Sequence, residues 1–136
     1  MTQPDGLAVT AAYVMDSSAL LAFSRREEGA ALIGSLLERS AICSVNWAEV
    51  LQRALSLGLE AQGKQEDLES LGVQIIPFIA EDARYTANLL PATRSAGLSL
   101  GDRACLSLAH RLGVPALTAD RAWSGLDIDV EVRLIR

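Results

Sequence analysis

Apolar positions along the chain fall into short runs that alternate with stretches of helical spacing. Residues 12–16 (AYVMD) form an apolar run ending in an acid, and the composition of residues 17–27 is helical, which predicts strand, turn and helix. Ala30, Ile33, Leu36 and Leu37 share one face of a helix predicted over 29–38, and residues 40–45 (SAICSV) read as a second buried strand. From Asn46, Trp47, Val50, Leu51, Ala54 and Leu55 make an apolar stripe that Gly58 stops. A polar helix over 60–71 precedes a third strand, residues 72–78, closed by Pro77. Residues 80–95 are predicted helical. Ser99 then opens a helix in which Ala104, Cys105, Leu108, Ala109 and Leu112 share a face, Gly113 ends it, and residues 114–118 (VPALT) make a fourth strand. Residues 128–136 alternate like a fifth strand at an edge.

Strands alternating with helices predict an α/β fold with a mostly parallel sheet of about five strands, covered on both faces and joined by right-handed crossovers. The chain has 136 residues, enough for one core and too few for two of ordinary size. Residues 1–12 read as a loose leader and 13–136 as a single domain. Half the residues are hydrophobic, yet every apolar run stops well short of the roughly 20 residues of a membrane span, so a cytoplasmic protein without a membrane partner is expected.

A net charge of −5 argues against a protein that coats nucleic acid through a broad basic face. It does not argue against a nuclease, because carboxylates gathered around divalent cations reverse the sign of the site. Cys43 and Cys105 are spaced neither as metal ligands nor as a disulfide framework and are expected to be buried thiols. The single histidine, His110, has no partner motif for a catalytic triad and is expected at the surface.

Four carboxylates fall where strands give way to helices. Asp16 ends the first strand, Glu49 lies one turn into the helix after the second, Asp102 one turn into the helix opened by Ser99, and Asp120 just past the fourth strand. Ligands of open parallel sheets bind outside the carboxyl ends of the strands, so these acids are predicted to converge on one edge. Each also has a structural explanation. Asn46 with Glu49, and Ser99 with Asp102, have capping-box spacing; Asp16 can cap a helix, and Asp120 can be a turn residue. The two roles are compatible, since a helix N-terminus favours the ionised carboxylate that a metal needs. All-oxygen ligands suit magnesium or manganese, and such ions support phosphodiester hydrolysis.

The segments VMDSSALLA (14–22), SVNWAEVLQRA (44–54) and LSLGDRACLSLAHRLGVPALTADRAW (98–123) resemble the PIN-domain signature of VapC-type toxins, the ribonuclease halves of VapBC toxin–antitoxin pairs. The resemblance runs from about Tyr13 to the C-terminus. It implies a PIN-domain-like α/β/α sandwich, a metal-dependent endoribonuclease, and an acidic cluster of Asp16, Glu49, Asp102 and Asp120 supported by the hydroxyls of Ser18 and Thr118. By the same resemblance Asp16, Asp102 and Asp120 would hold one or two Mg2+ ions, for which Mn2+ substitutes, while Glu49 would orient or deprotonate the attacking water. Asn46, Arg103 and Arg121 are candidate contacts to the RNA substrate. No acid lies in residues 121–126, where some PIN nucleases carry a further one. A VapB-like antitoxin and a homodimer are the implied partners.

Trp47, on the apolar stripe, is expected in the core, while Trp123 is open to either a core or a base-stacking role. Two other acid-at-strand-end folds fit less well. A phosphoacceptor receiver needs a lysine after its last strand, but the only lysine is Lys64, and a haloacid-type phosphatase needs an acid where Ser18 stands. The remaining alternatives are an RNA-processing PIN nuclease without a toxin role and a non-catalytic binding module.

Overall fold

The computed structural model describes residues 8–136, so seven residues of the expected leader lie outside the described part. Five strands form one sheet in the order β3-β2-β1-β4-β5: β1 (Tyr13–Met15), β2 (Ser40–Cys43), β3 (Gln74–Ile76), β4 (Ala116–Thr118) and β5 (Val132–Leu134). Every pairing is parallel, with Val14 opposite both Ala41 and Ala116. The strands are short apolar runs because both faces of the sheet are covered.

Alternation along the strands sends side chains to two cores. Val14, Ala41, Cys43, Ile76 and Ala116 face α5 (Ala80–Asn88) and α7 (Leu100–Leu112), where they meet Leu89, Ala104, Cys105, Leu108 and Trp123. Met15, Ile42 and Leu117 face the other way, toward α1 (Ser17–Ser24), α2 (Ala30–Leu36), α3 (Ser44–Ser56) and α4 (Lys64–Ser70), burying Ala19, Leu20, Ile33, Trp47 and Leu68. This is the α/β/α sandwich that the alternation predicted. Both cysteines are buried free thiols and both tryptophans are core residues, which removes Trp123 as a stacking platform.

Several boundaries differ from the sequence pattern for identifiable reasons. The helix expected over 80–95 is split into α5 and α6 (Leu90–Thr93), because Pro91 has no N–H to carry the ladder onward. The polar helix of 60–71 shrinks to α4, which buries Leu68 alone. The fifth strand is at the edge, as its alternation suggested, but only Val132–Leu134 pair with β4. Helix α3 begins at Ser44, two residues before the expected cap, so Asn46 is inside the first turn and forms no capping box with Glu49. Gly113, at φ 68°, ends α7 in the left-handed conformation a glycine adopts without strain, as its position predicted.

At the edge strand β3 the Gln74 side chain holds the segment before β1, accepting from Thr10 N at 3.0 Å and donating to Ala8 O at 2.9 Å. On the α5–α7 side, Asp82 is buried and bound by Arg111 through two parallel contacts, Nε to Oδ1 at 2.9 Å and Nη2 to Oδ2 at 3.0 Å. Exposed His110 lies near the opposite end of α7 from Asp102; it stacks on Tyr85 and reaches Asp129 at 3.3 Å.

Candidate active site

Strand order reverses between β1 and β4, and a crevice opens at such a switch point outside the carboxyl ends of the strands. Asp16 leaves β1 there and Thr118 ends β4 beside it. Because α7 runs back along the sheet before β4, its N-terminus, with Asp102, is delivered to the same edge. Helix α3 starts directly from β2 and brings Glu49 there one turn later.

Asp16 is buried and caps α1, its Oδ1 accepting from Ala19 N at 2.8 Å. Ser18 Oγ donates across both carboxylate oxygens, at 2.7 and 2.8 Å, and Thr118 Oγ1 donates to Oδ2 at 2.6 Å. The same hydroxyls accept from the next backbone groups, Ala119 N to Ser18 Oγ at 2.9 Å and Asp120 N to Thr118 Oγ1 at 3.0 Å. Ser18 and Thr118 thus join the exits of β1 and β4 and set the backbone that carries Asp120. Burial pushes the Asp16 carboxyl up to about 6, and repulsion from Asp102 adds to the rise. The bonds from Thr118, Ala19 and Ser18 oppose it without cancelling it.

Asp102 forms the predicted capping box with Ser99. Its Oδ2 accepts from Ser99 N at 2.9 Å while Ser99 Oγ accepts from Asp102 N at 3.1 Å. Asp120 caps the short 3-10 turn Arg121–Trp123 through Ala122 N at 2.9 Å. Each of these caps occupies one carboxylate oxygen. Glu49 is fixed differently: Asn46 Nδ2 donates to its Oε1 at 2.9 Å and to Gly101 O at 3.0 Å. Its carboxylate lies so close to Gly101 that a β-carbon there would stand 2.5 Å from Oε2.

Cys105 is buried on the helix that carries Asp102. Burial pushes its thiol well above the ordinary range, and the carboxylates of Asp16, Asp102 and Glu49 push it further. Asp120 is linked to Asp16 through Thr118 instead. Among the described residues no group of three or more His, Cys, Asp or Glu side chains forms a ready metal-holding cluster. The donor chemistry nevertheless fits a hard cation: the acids supply oxygen alone, and Asp16 and Asp102 carry a mutual repulsion that a cation would offset.

The candidate substrate contacts are placed apart. Arg121 is exposed on the 3-10 turn beside Asp120. Arg103 turns to α5, donating from Nη1 to Thr86 O at 2.9 Å. Asn46 is fully buried. Gly101 escaped the sequence reading, though it carried a signal. Glycine costs about 1 kcal/mol relative to alanine inside a helix, so one directly before a site acid marks a close approach.

The family model for the PIN domain matches residues 13–128. Solved structures similar to the chain include a toxin–antitoxin complex from Klebsiella pneumoniae (TM-score 0.73, 18% identity, 91% of this chain and 98% of that one covered). Others are DNA-bound VapBC from Salmonella typhimurium (0.69, 13%, 93% and 99%) and VapBC2 from Rickettsia felis bound to a promoter DNA fragment (0.61, 20%, 90% and 97%). No curated protein matches the chain in sequence.

Proposed function

Because the chain belongs to the PIN domain family, a family of nucleases, we propose that it is a metal-dependent endoribonuclease acting in the cytoplasm as the toxin of a type II toxin–antitoxin pair. The observation that carries the nuclease reading is the buried Asp16 carboxyl, gathered by Ser18 and Thr118 at the switch point and facing the charge of Asp102. Similarity to toxin–antitoxin complexes supports the toxin role and a VapB-like antitoxin as partner. Leu55, Leu57 and Leu59, each more than half exposed around the end of α3, offer apolar surface for that antitoxin or for a second copy of the chain in a homodimer. Among the described residues no helix is long and apolar enough to cross a membrane.

Asp16, Asp102 and Asp120 would hold Mg2+, with Mn2+ substituting: Asp102 and Asp120 through the carboxylate oxygens their caps leave over, Asp16 directly or through water from a carboxylate whose two oxygens also accept from Ser18 and Thr118. Bound there, the ion would polarise the phosphodiester and make a water acidic enough to attack. Glu49 would orient an attacking water and take its proton at Oε2, since Oε1 is held by Asn46. Arg121, exposed beside Asp120, contacts a substrate phosphate. Arg103, with Nη1 committed to Thr86 and Nε buried, reaches RNA only through Nη2.

Purified, partner-free protein is expected to cut total cellular RNA with magnesium or manganese and to stop in excess chelator. Asp102→Asn keeps an oxygen for the Ser99 cap, so it should fold yet fail to cleave. Intact RNA with folded, magnesium-loaded wild type would rule out the nuclease reading.

Gly101→Ala is a sharper probe of the site's geometry. Alanine gains about 1 kcal/mol of helix propensity, but its methyl displaces the Glu49 carboxylate. Thermal melts should move little while the cleavage rate falls at least about tenfold, as when a positioning contact is lost. A full-rate Gly101→Ala enzyme would mean that Glu49 has no fixed post.

A further inference from the structure

The geometry points to Asn46 as the positioning residue for Glu49, a role that rests on the nuclease reading above. Asn46 is 0% exposed, so it cannot touch RNA, and its contribution must pass through its neighbours. Its Nδ2 meets two acceptors, Glu49 Oε1 and Gly101 O. That pairing fixes the amide's orientation, because the flipped amide would aim Oδ1 at a carboxylate and a carbonyl.

Oδ1 is buried with no hydrogen-bond partner. Half of this amide therefore loses its hydration without return, a loss that an apolar side chain like those of the surrounding core would avoid. What the amide does supply is a clamp, joining the helix that carries Glu49 to the first turn of the helix that carries Asp102.

Glu49 needs one. It is half-buried, its side chain has three rotatable torsions, and no other hydrogen bond to its carboxylate is present among the described residues. Asn46 holds Oε1 from one side, and the bare α-carbon of Gly101 gives the carboxylate a seat on the other. Oε2 is thereby kept in one place to receive a proton.

The test is a double-mutant cycle of Asn46→Ala with Glu49→Ala, measuring initial cleavage of total cellular RNA with magnesium, together with melting temperatures. Alone, Asn46→Ala should slow cleavage about 10–100-fold, the usual loss when an orienting contact is removed. The nearly isosteric Asn46→Asp, which turns the donor into an acceptor, should slow it at least as much. Added to Glu49→Ala, Asn46→Ala should change the rate by less than about twofold, while its effect on melting persists. An equal loss in both backgrounds would overturn the proposal, since a packing role acts whether or not Glu49 is present.

A second readout needs no turnover. In 15N NMR spectra the Asn46 side-chain amide should exchange slowly in wild type, then shift and exchange faster in Glu49→Ala. An amide indifferent to Glu49 would overturn the proposal even if the alanine variants of Asn46 failed to fold. Inactive wild type with a responsive amide would instead count against the nuclease reading alone.

Discussion

Asp16→Asn is expected to abolish cleavage and, at the same time, to stabilise the cation-free protein at neutral pH. The carboxyl is raised from its ordinary 3.8 to about 6 by burial and by Asp102. Between those values the folded chain binds a proton that the unfolded chain has released, so stability falls as pH rises through this window. Above about 6 the ionised, buried carboxylate costs about 3 kcal/mol relative to an unperturbed one. Asparagine removes the charge and keeps an oxygen for Ala19 N and Ser18 Oγ, while its Nδ2 can donate to Thr118 Oγ1, whose proton turns to Ser18 Oγ at 3.3 Å. The charged bonds it gives up return part of the gain, leaving a net stabilisation of about 1–2 kcal/mol. Urea titrations without divalent cations should show the variant ahead at pH 7 and the gap closing toward pH 4. Magnesium should raise the wild-type midpoint and leave the variant's in place. A gap that is flat with pH would mean that the Asp16 carboxyl is not raised by its surroundings.

The largest loss of stability is expected from Arg111→Met. Asp82 is 2% exposed, and its carboxylate is held by Arg111 through both oxygens, with Ile79 N also donating to Oδ2 at 3.1 Å and Arg111 Nη2 reaching Pro77 O at 3.0 Å. Breaking a buried pair from one side leaves a buried charge without its counter-charge, which typically costs about 3–5 kcal/mol. Adding Asp82→Asn should recover much of that loss, since the amide is uncharged and keeps an oxygen for Ile79 N. Urea midpoints of wild type, single variant and double variant measure both steps. A loss under about 1 kcal/mol in the single variant would show that water or another cation reaches Asp82.

This pair illustrates what local pattern does not carry. Asp82 and Arg111 stand 29 positions apart, each on a helix whose sequence would place it equally well in solvent. Their meeting depends on how α5 lies against α7. Arg103 is a similar case: the position after Asp102 suggested a phosphate contact, whereas packing of the same two helices turns its guanidinium to Thr86 O. Asn46 looked like a cap because its spacing to Glu49 is that of a capping box, but Ser44 starts the helix, which buries Asn46 inside the first turn.

The sequence by itself determined the strands, most helices, the two-faced burial of the sheet and the placement of four acids at strand exits. These follow from periodicity, glycine and proline positions and cap spacing, all of which act over a few residues. Asp16 and Asp102 kept the caps their neighbours prescribed, and Ser18 and Thr118 were legible as hydroxyls beside an acid. Only the tertiary structure decided the strand order, the single switch point that sets Asp16 against Thr118 across 102 positions, and the seat of Glu49 on Gly101. Those outcomes come from which surfaces bury each other once the chain has crossed over the sheet, and that choice is made by the whole core rather than by any segment of it.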